Sequence, residues 1–149
     1  MILKNVFENI NFAIRYRDIC DKYNDFDGRM LGNQKKIYLK VLNRFDYEFK
    51  YFTNGSFFEI KSEIDIYEFQ FNIVLKDGQI ETLFFMKKNN IDIEPSGRVD
   101  FLTEKLKLPF ERKLFNLPLF SSEDELFSIL EELFLIFEDL KKEFLKFDM

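Results

Sequence analysis

Among the side chains that often carry out catalysis, the sequence has one cysteine, Cys20, and many carboxylates, but it has no histidine. Histidine is the usual general base near neutral pH and the usual partner of a serine or cysteine nucleophile. Because no histidine can activate it, we interpret Cys20 as a small buried hydrophobic residue rather than a reactive thiol. We therefore expect that this chain is not an enzyme.

Two aspartates beside a glycine, Asp25, Asp27 and Gly28, resemble part of a calcium-binding loop. If Gly28 were the sixth loop position, Tyr23 and Gln34 would occupy the first and twelfth, where carboxylates are required. We therefore interpret these aspartates as turn residues and predict no metal site. The sequence also lacks glycine-rich phosphate loops, paired CxxC cysteines and GxSxG elbows, so we expect no cofactor.

Length and composition indicate a single domain spanning residues 1–149. A chain of this length can bury roughly 70% of the surface that it exposes when unfolded, which is enough for a stable core. One cysteine cannot form an internal disulfide, and we find neither a secretory signal nor an apolar run long enough to span a membrane. We expect a cytoplasmic protein that does not contact membranes.

The clearest structural signal is a hairpin whose two-residue loop is Asp77-Gly78. An Asp-Gly pair between alternating runs favours a type I′ turn, in which both central residues have positive φ. The resulting register sets Glu68 against Lys87 as a cross-strand ion pair, and it places four pairs on the other face, nearly all of them apolar. These pairs are Leu75 with Ile80, Ile73 with Thr82, Phe71 with Phe84, and Phe69 with Met86.

A second hairpin is predicted around Asn54-Gly55, again as a type I′ loop. Its register pairs aromatic and apolar residues on one face and opposite charges on the other, which predicts two cross-strand ion pairs. The pairs are Tyr51 with Phe58, Phe49 with Ile60, Lys50 with Glu59, and Glu48 with Lys61. Alternation from Lys36 to Val41 predicts a further strand, giving five strands in an antiparallel meander.

Helices are predicted at both ends of the chain. Residues 2–23 form an amphipathic pattern whose apolar side includes Ile14 and Cys20. Ser122 and Glu125 form a capping box that begins a helix reaching Phe147, with an apolar stripe too wide for a coiled-coil seam. We therefore predict a two-layer α+β fold, in which an N-terminal helix and a long C-terminal helix cover one face of the sheet.

Between the sheet and the last helix, residues 89–120 contain all three prolines. We predict a short helix from Val99 to Leu106, followed by an extended segment that packs across the sheet or its edge. Basic residues interleaved with aromatic ones are typical of single-stranded nucleic-acid binding. Because acidic residues dilute this segment and the chain carries a net charge of −5, we expect no nucleic acid. The basic residues are Lys105, Lys107, Arg112 and Lys113.

Negative charge is concentrated in residues 121–149, which contain nine acidic and three basic side chains. On a helix with about 100° per residue, residues seven positions apart lie on the same side. On this helix that side carries acidic residues with one leucine among them. Adjacent acids such as Glu131 and Glu132 point about 100° apart, so we interpret them as a solvated face and not as a catalytic pair. The predicted partner-binding residues are Asp124, Glu131, Leu135, Glu138 and Asp139.

These observations favour a small protein-binding protein of the inhibitor or immunity type, which neutralises a basic partner such as a toxin. Two alternatives stay open, namely an acidic homodimeric secretion chaperone and a small-ligand-binding domain with an aromatic-lined site. The chain is expected to be a monomer or a homodimer.

Overall fold

The computed structural model describes residues 2–148, which have an α+β fold around one apolar core. Within these residues the helices are α1 (Ile2–Asn9), α2 (Phe12–Lys22), α3 (Lys35–Leu42), α4 (Val99–Lys105) and α5 (Glu123–Asp148). The strands are β1 (Lys50–Phe52), β2 (Phe57–Ile64), β3 (Tyr67–Lys76), β4 (Gln79–Lys88), β5 (Ile91–Asp92) and β6 (Gly97–Arg98).

The described residues form an antiparallel sheet in the order β1-β2-β3-β4-β5, and β6 also pairs with β4. The predicted register of the β3–β4 hairpin is confirmed, since Lys76 pairs with Gln79 and Glu68 with Lys87. Asp77 and Gly78 have φ of 53° and 75°, as a type I′ turn requires. In the described chain, however, no ion pair joins Glu68 with Lys87 within 4.0 Å.

The β1–β2 hairpin has the predicted register but a different loop. Tyr51 pairs with Phe58, whereas positive φ occurs at Gly55 (95°) and Ser56 (52°) and not at Asn54. The type I′ prediction is therefore wrong at this loop, which spans the four residues 53–56 between the paired ends of the strands.

The predicted facing of Lys50 and Glu59 is confirmed, but within residues 2–148 neither predicted ion pair of this hairpin forms. Lys50 lies opposite Glu59, but its ammonium packs over the Phe52 ring at 4.9 Å from the centroid. Glu59 instead lies 3.8 Å from Lys61, its neighbour in the same strand. Glu48 precedes β1, so it has no place in the ladder.

The segment predicted as the first strand, from Lys36 to Val41, is the helix α3. Ile37, Leu39 and Val41 alternate, but Tyr38, Val41 and Leu42 also have helical spacing, and these three are the buried residues of the helix. Short apolar runs fit both periods, and packing against α5 decides in favour of the helix.

The N-terminal segment is two helices, α1 and α2, instead of the one continuous helix that the apolar pattern predicts. Asn11 adopts left-handed backbone with φ 56°, a conformation that asparagine tolerates better than most residues. At this break the rings of Phe7 and Phe12 pack together in the core, with their centroids 4.7 Å apart. It also turns Ile14 outward, so that 48% of Ile14 is exposed against the prediction.

The long helix α5 packs on the predicted apolar face of the sheet. The Phe137 ring stacks on the Phe71 ring with their centroids 5.0 Å apart, and the Phe144 ring meets the Phe69 ring edge-on with their centroids 6.1 Å apart. From α1, Phe7 contacts Phe84 on the same face at 6.2 Å. These contacts confirm that helices from both ends of the chain cover one face of the sheet.

The start of α5 is capped by a variant of the predicted capping box. The Glu125 amide donates to the Ser122 hydroxyl oxygen at 3.1 Å, as a helix N-cap requires. The Glu125 carboxylate accepts from the amide and the hydroxyl of Ser121, and not from Ser122. Three acidic residues in the first turn also suit the positive end of the helix dipole.

The extended segment predicted after the short helix reaches the sheet edge next to β4 at its end, whereas Phe110 in its middle packs on Tyr16 of α2. After α4 and a single 3-10 turn at Arg112–Leu114, Leu119 forms an isolated antiparallel bridge with Gln79. The Ile80 amide donates to the Pro118 carbonyl, and the Phe120 amide donates to the Gly78 carbonyl. The β3–β4 hairpin is thereby held against the segment that leads into α5.

Candidate functional site

The outward side of α5 holds three of the predicted partner-binding residues in exposed positions. Asp124 and Glu131 are exposed, and Leu135 keeps 57% of its surface accessible. At about 100° per residue these three side chains lie within about 40° of each other around the helix axis. They form the exposed side of α5, which faces away from the sheet.

The other two predicted residues lie on either side of these three and are held by contacts within the chain. Glu138 accepts a hydrogen bond from the Tyr47 hydroxyl at 2.6 Å and lies 2.9 Å from the Lys141 ammonium. On the opposite flank, Asp139 forms an ion pair with Arg15 of α2 at 2.8 Å. Both carboxylates fasten α5 to its neighbours.

The Tyr47–Glu138 contact changes the acidity of the tyrosine. Burial of Tyr47, together with the hydrogen bond to the Glu138 carboxylate, raises the pKa of its hydroxyl well above the ordinary value. Tyr47 therefore stays protonated and donates this bond throughout the physiological pH range. Lys141, which is 8% exposed, completes the contact by also donating to the Ser62 hydroxyl at 2.9 Å.

A third acidic residue, Glu132, is half-buried and lies beside these exposed residues, although the sequence did not point to it. Glu132 lines a shallow groove of about 250 Å³ between α5 and α2, together with Leu135, Ile136, Arg15 and Ile19. From the sequence Glu132 is one of two adjacent acids on a solvated face. Only the position of α2 beside α5 shows that Glu132 borders a concave surface.

Most acidic side chains of α5 have a polar partner within the chain, and the exceptions define the candidate site. Within the described chain, Asp124, Glu131 and Glu132 have no ion pair within 4.0 Å and no side-chain hydrogen bond. We call these three residues and Leu135 the α5 acidic surface. The acids of α5 that do have partners are Glu123, Glu125, Glu138, Asp139, Glu143 and Asp148.

The only cysteine does not have the properties of a nucleophile. Cys20 is 2% exposed, and burial raises the pKa of its thiol to about 12. Its neighbour Tyr16 is fully enclosed, and burial raises the pKa of that hydroxyl as well. Both groups are neutral near pH 7, as expected for buried core residues.

This environment predicts that Cys20 reacts slowly in the folded protein. Because the attacking species is an accessible thiolate, labelling by a disulfide reagent near pH 8 should be at least about 100-fold slower in native protein than in concentrated urea. Absorbance at the released thiolate measures the rate, and the signal reports Cys20 alone because the sequence has one cysteine. Similar rates in both conditions would contradict the buried assignment.

Two further properties of the described chain bear on the site. Residues 2–148 contain no group of three or more cysteine and acidic side chains placed to hold a metal ion. None of the helices in this range is both long enough and apolar enough to cross a membrane.

Comparison with protein-family models, with curated proteins and with solved structures gave no match to this chain. Its function is therefore inferred from its own residues.

Proposed function

We propose that this chain is a cytoplasmic protein that binds another protein through the α5 acidic surface, and that the partner's contacting surface is basic. Its role would be that of an inhibitor or immunity-type protein, which neutralises a toxin by occupying it. The observation that carries this proposal is the set of three carboxylates without internal partners, Asp124, Glu131 and Glu132, arranged around the exposed Leu135.

The charge of these residues suits recognition of a basic protein. Complementary charge speeds the encounter of two proteins and disfavours partners of the wrong sign. The chain as a whole carries a net charge of −5, so its long-range field acts in the same direction. A basic partner would therefore be attracted before any contact forms.

Shape and apolar surface add to this charge. Leu135 provides an apolar centre, which interfaces generally need because exposed charge pairs alone contribute little affinity. The groove beside it, between Glu132 and Ile19, offers a concave edge for a side chain of the partner. The flanking contacts Tyr47–Glu138 and Arg15–Asp139 hold the surface in place before binding, which lowers the entropic cost of association.

Charge reversal at the three free carboxylates tests the proposal. A partner isolated by co-purification from the source cells and identified by mass spectrometry is immobilised for kinetic measurements. The triple change Asp124→Lys, Glu131→Lys and Glu132→Lys should slow association at low salt by about tenfold or more and flatten its salt dependence. The melting temperature should change little because these side chains are not part of the core. Glu138 is left intact, since its reversal would break the Tyr47 bond.

A matched control carries the same change in net charge elsewhere. Asp27, Glu63 and Asp92 are exposed and lie outside α5, and all three are replaced by lysine in the control. The control should slow association clearly less than the α5 triple, because it alters the long-range field equally but leaves the contacting carboxylates in place. An equal loss in both triples, or an unchanged rate in the α5 triple, would contradict the α5 acidic surface as the contact.

A further inference from the structure

A second concave site lies at the end of the sheet, far along the chain from α5. On one side of β3 the ladder with β2 ends at Ile73, whereas on the other side β3 continues to Lys76. The β3–β4 hairpin therefore extends beyond the strand next to it. The space left beside this extension is a cleft of about 700 Å³, closed on its other sides by the start of α3 and the loop at Gly55. We call it the hairpin cleft.

The cleft has a fixed aromatic wall. Tyr38 and Phe58 are almost fully buried, with 1% and 2% of their surfaces exposed, and the ring of Tyr51 lies 4.8 Å from Phe58. The Tyr38 hydroxyl donates to the Gly32 carbonyl at 3.1 Å, so its polar end is satisfied. A volume of this size and aromatic walls with polar groups at the rim are usual properties of small-molecule sites.

The rim of the cleft is positively charged although the protein is acidic. Lys35 and Lys76 both line it, and among residues 2–148 neither has a carboxylate within 4.0 Å. The Lys35 ammonium lies over the Tyr51 ring, 4.2 Å from its centroid. The one acid of the lining is Asp77, in the turn of the β3–β4 hairpin. It accepts a hydrogen bond from the Gly32 amide at 3.0 Å, which joins the turn to the loop before α3.

We propose that the hairpin cleft binds a small organic anion that carries an aromatic ring. The ring rests against Tyr51 and Val74, and the anionic group pairs with Lys35 and Lys76. Within residues 2–148 these two lysines have no carboxylate partner and so give the charge complement, and the cation–π contact with Tyr51 holds Lys35 at the rim. This site shares no residue with the α5 acidic surface, so either proposal can fail without the other.

The fluorescent probe 8-anilinonaphthalene-1-sulfonate, an aromatic anion, tests this proposal on the full chain. We expect saturable binding to the folded protein with one site. The double change Lys35→Gln and Lys76→Gln should weaken binding by about tenfold, because each lost charge-assisted contact contributes to affinity. The uncharged analogue N-phenyl-1-naphthylamine should bind wild type and double variant within about twofold of each other, since it has no anionic group to lose.

The matched control is the double change Lys36→Gln and Lys113→Gln. Both lysines are exposed and neither lines the cleft, although Lys36 follows Lys35 in the same helix. This control should keep the affinity for the sulfonate within about twofold of wild type. Equal affinities for all three proteins, or equal losses in both doubles, would overturn the assignment of Lys35 and Lys76.

Methyl NMR locates the probe independently of affinity. On addition of the sulfonate, the Val74 methyl resonances should shift, because Val74 lines the cleft. The methyl resonances of Val6 in α1, which is 1% exposed in the core, should not shift. An unshifted Val74 during saturable binding, or the absence of binding by the folded protein, would overturn the proposal.

Discussion

Replacing Phe71 with alanine should lower the free energy of unfolding by about 3 to 5 kcal/mol, the range for large aromatic residues in a core. Phe71 is 3% exposed in the middle of β3, and its ring stacks on Phe137 with an interplanar angle of 12°. Phe134 meets it edge-on at 6.3 Å. Truncation would remove the contact that seats α5 on the sheet and leave a cavity. Urea unfolding followed by circular dichroism measures the loss.

Phe147→Ala serves as the control for this change. Phe147 lies near the end of α5, the helix that packs on Phe71, but 43% of its surface is exposed. Its truncation should therefore lower the free energy of unfolding by less than about 1 kcal/mol. A loss below about 1 kcal/mol for Phe71→Ala would mean that β3 is shifted by one residue, because such a slip turns every apolar side chain of the strand outward.

Replacing Gly78 with valine should also destabilise the fold strongly, by about 3 to 5 kcal/mol. Gly78 has φ of 75°, which a β-branched residue adopts only with strain. A Cβ atom at this position would lie 2.6 Å from the Arg29 Cβ and 2.8 Å from the Met30 backbone nitrogen. Both the turn and the loop packed on it would have to move. The midpoint of urea unfolding measures the effect.

Gly97→Val separates the two causes. Gly97 has φ of 113°, but a Cβ atom there would meet nothing within 4 Å. Its replacement should therefore cost only the backbone strain, about 1 to 3 kcal/mol, and clearly less than Gly78→Val. Equal losses at the two glycines would contradict the close packing of residues 29–30 on the hairpin. An unchanged midpoint for Gly78→Val would also contradict the type I′ turn.

The parts of the fold that the sequence predicts correctly are those decided by local chemistry. Asp77-Gly78 sets the turn, and the turn sets the pairing of all ten residues of β3 with β4. Ser122 and Glu125 mark the start of α5 for the same reason, because the cap involves only neighbouring residues. In these places turn type, hydrophobic period and capping all favour one structure.

The errors arise where distant residues decide between two locally acceptable structures. The run from Lys36 to Val41 fits a strand and a helix, and its contact with α5 is not visible in the local pattern. Asn11 interrupts a continuous helical pattern because the break allows Phe7 and Phe12 to meet in the core. At Asn54-Gly55 the register is correct while the loop geometry differs, since a tight turn of another type gives the same pairing.

The candidate site shows the same division. Sequence periodicity places Asp124, Glu131 and Leu135 on one side of α5, and all three are exposed. The partners of Glu138 and Asp139 lie 91 and 124 residues away, at Tyr47 and Arg15. No local pattern separates a carboxylate held by such a distant partner from a free one. The hairpin cleft is likewise formed by elements that meet only in the folded chain.

The most direct test of the α5 acidic surface is carboxylate footprinting of the wild-type chain, free and in complex with its partner. A carbodiimide couples an amine to accessible carboxylates, and mass spectrometry measures the labelling rate at each acidic residue. The surface predicts that the partner slows labelling of Asp124, Glu131 and Glu132 by about fivefold or more, because an interface excludes water from its centre. Labelling of Asp27, Glu63 and Asp92 should stay within about twofold of the free protein. Unchanged rates at the three α5 carboxylates, in a complex that protects other acidic residues, would contradict this surface as the binding site.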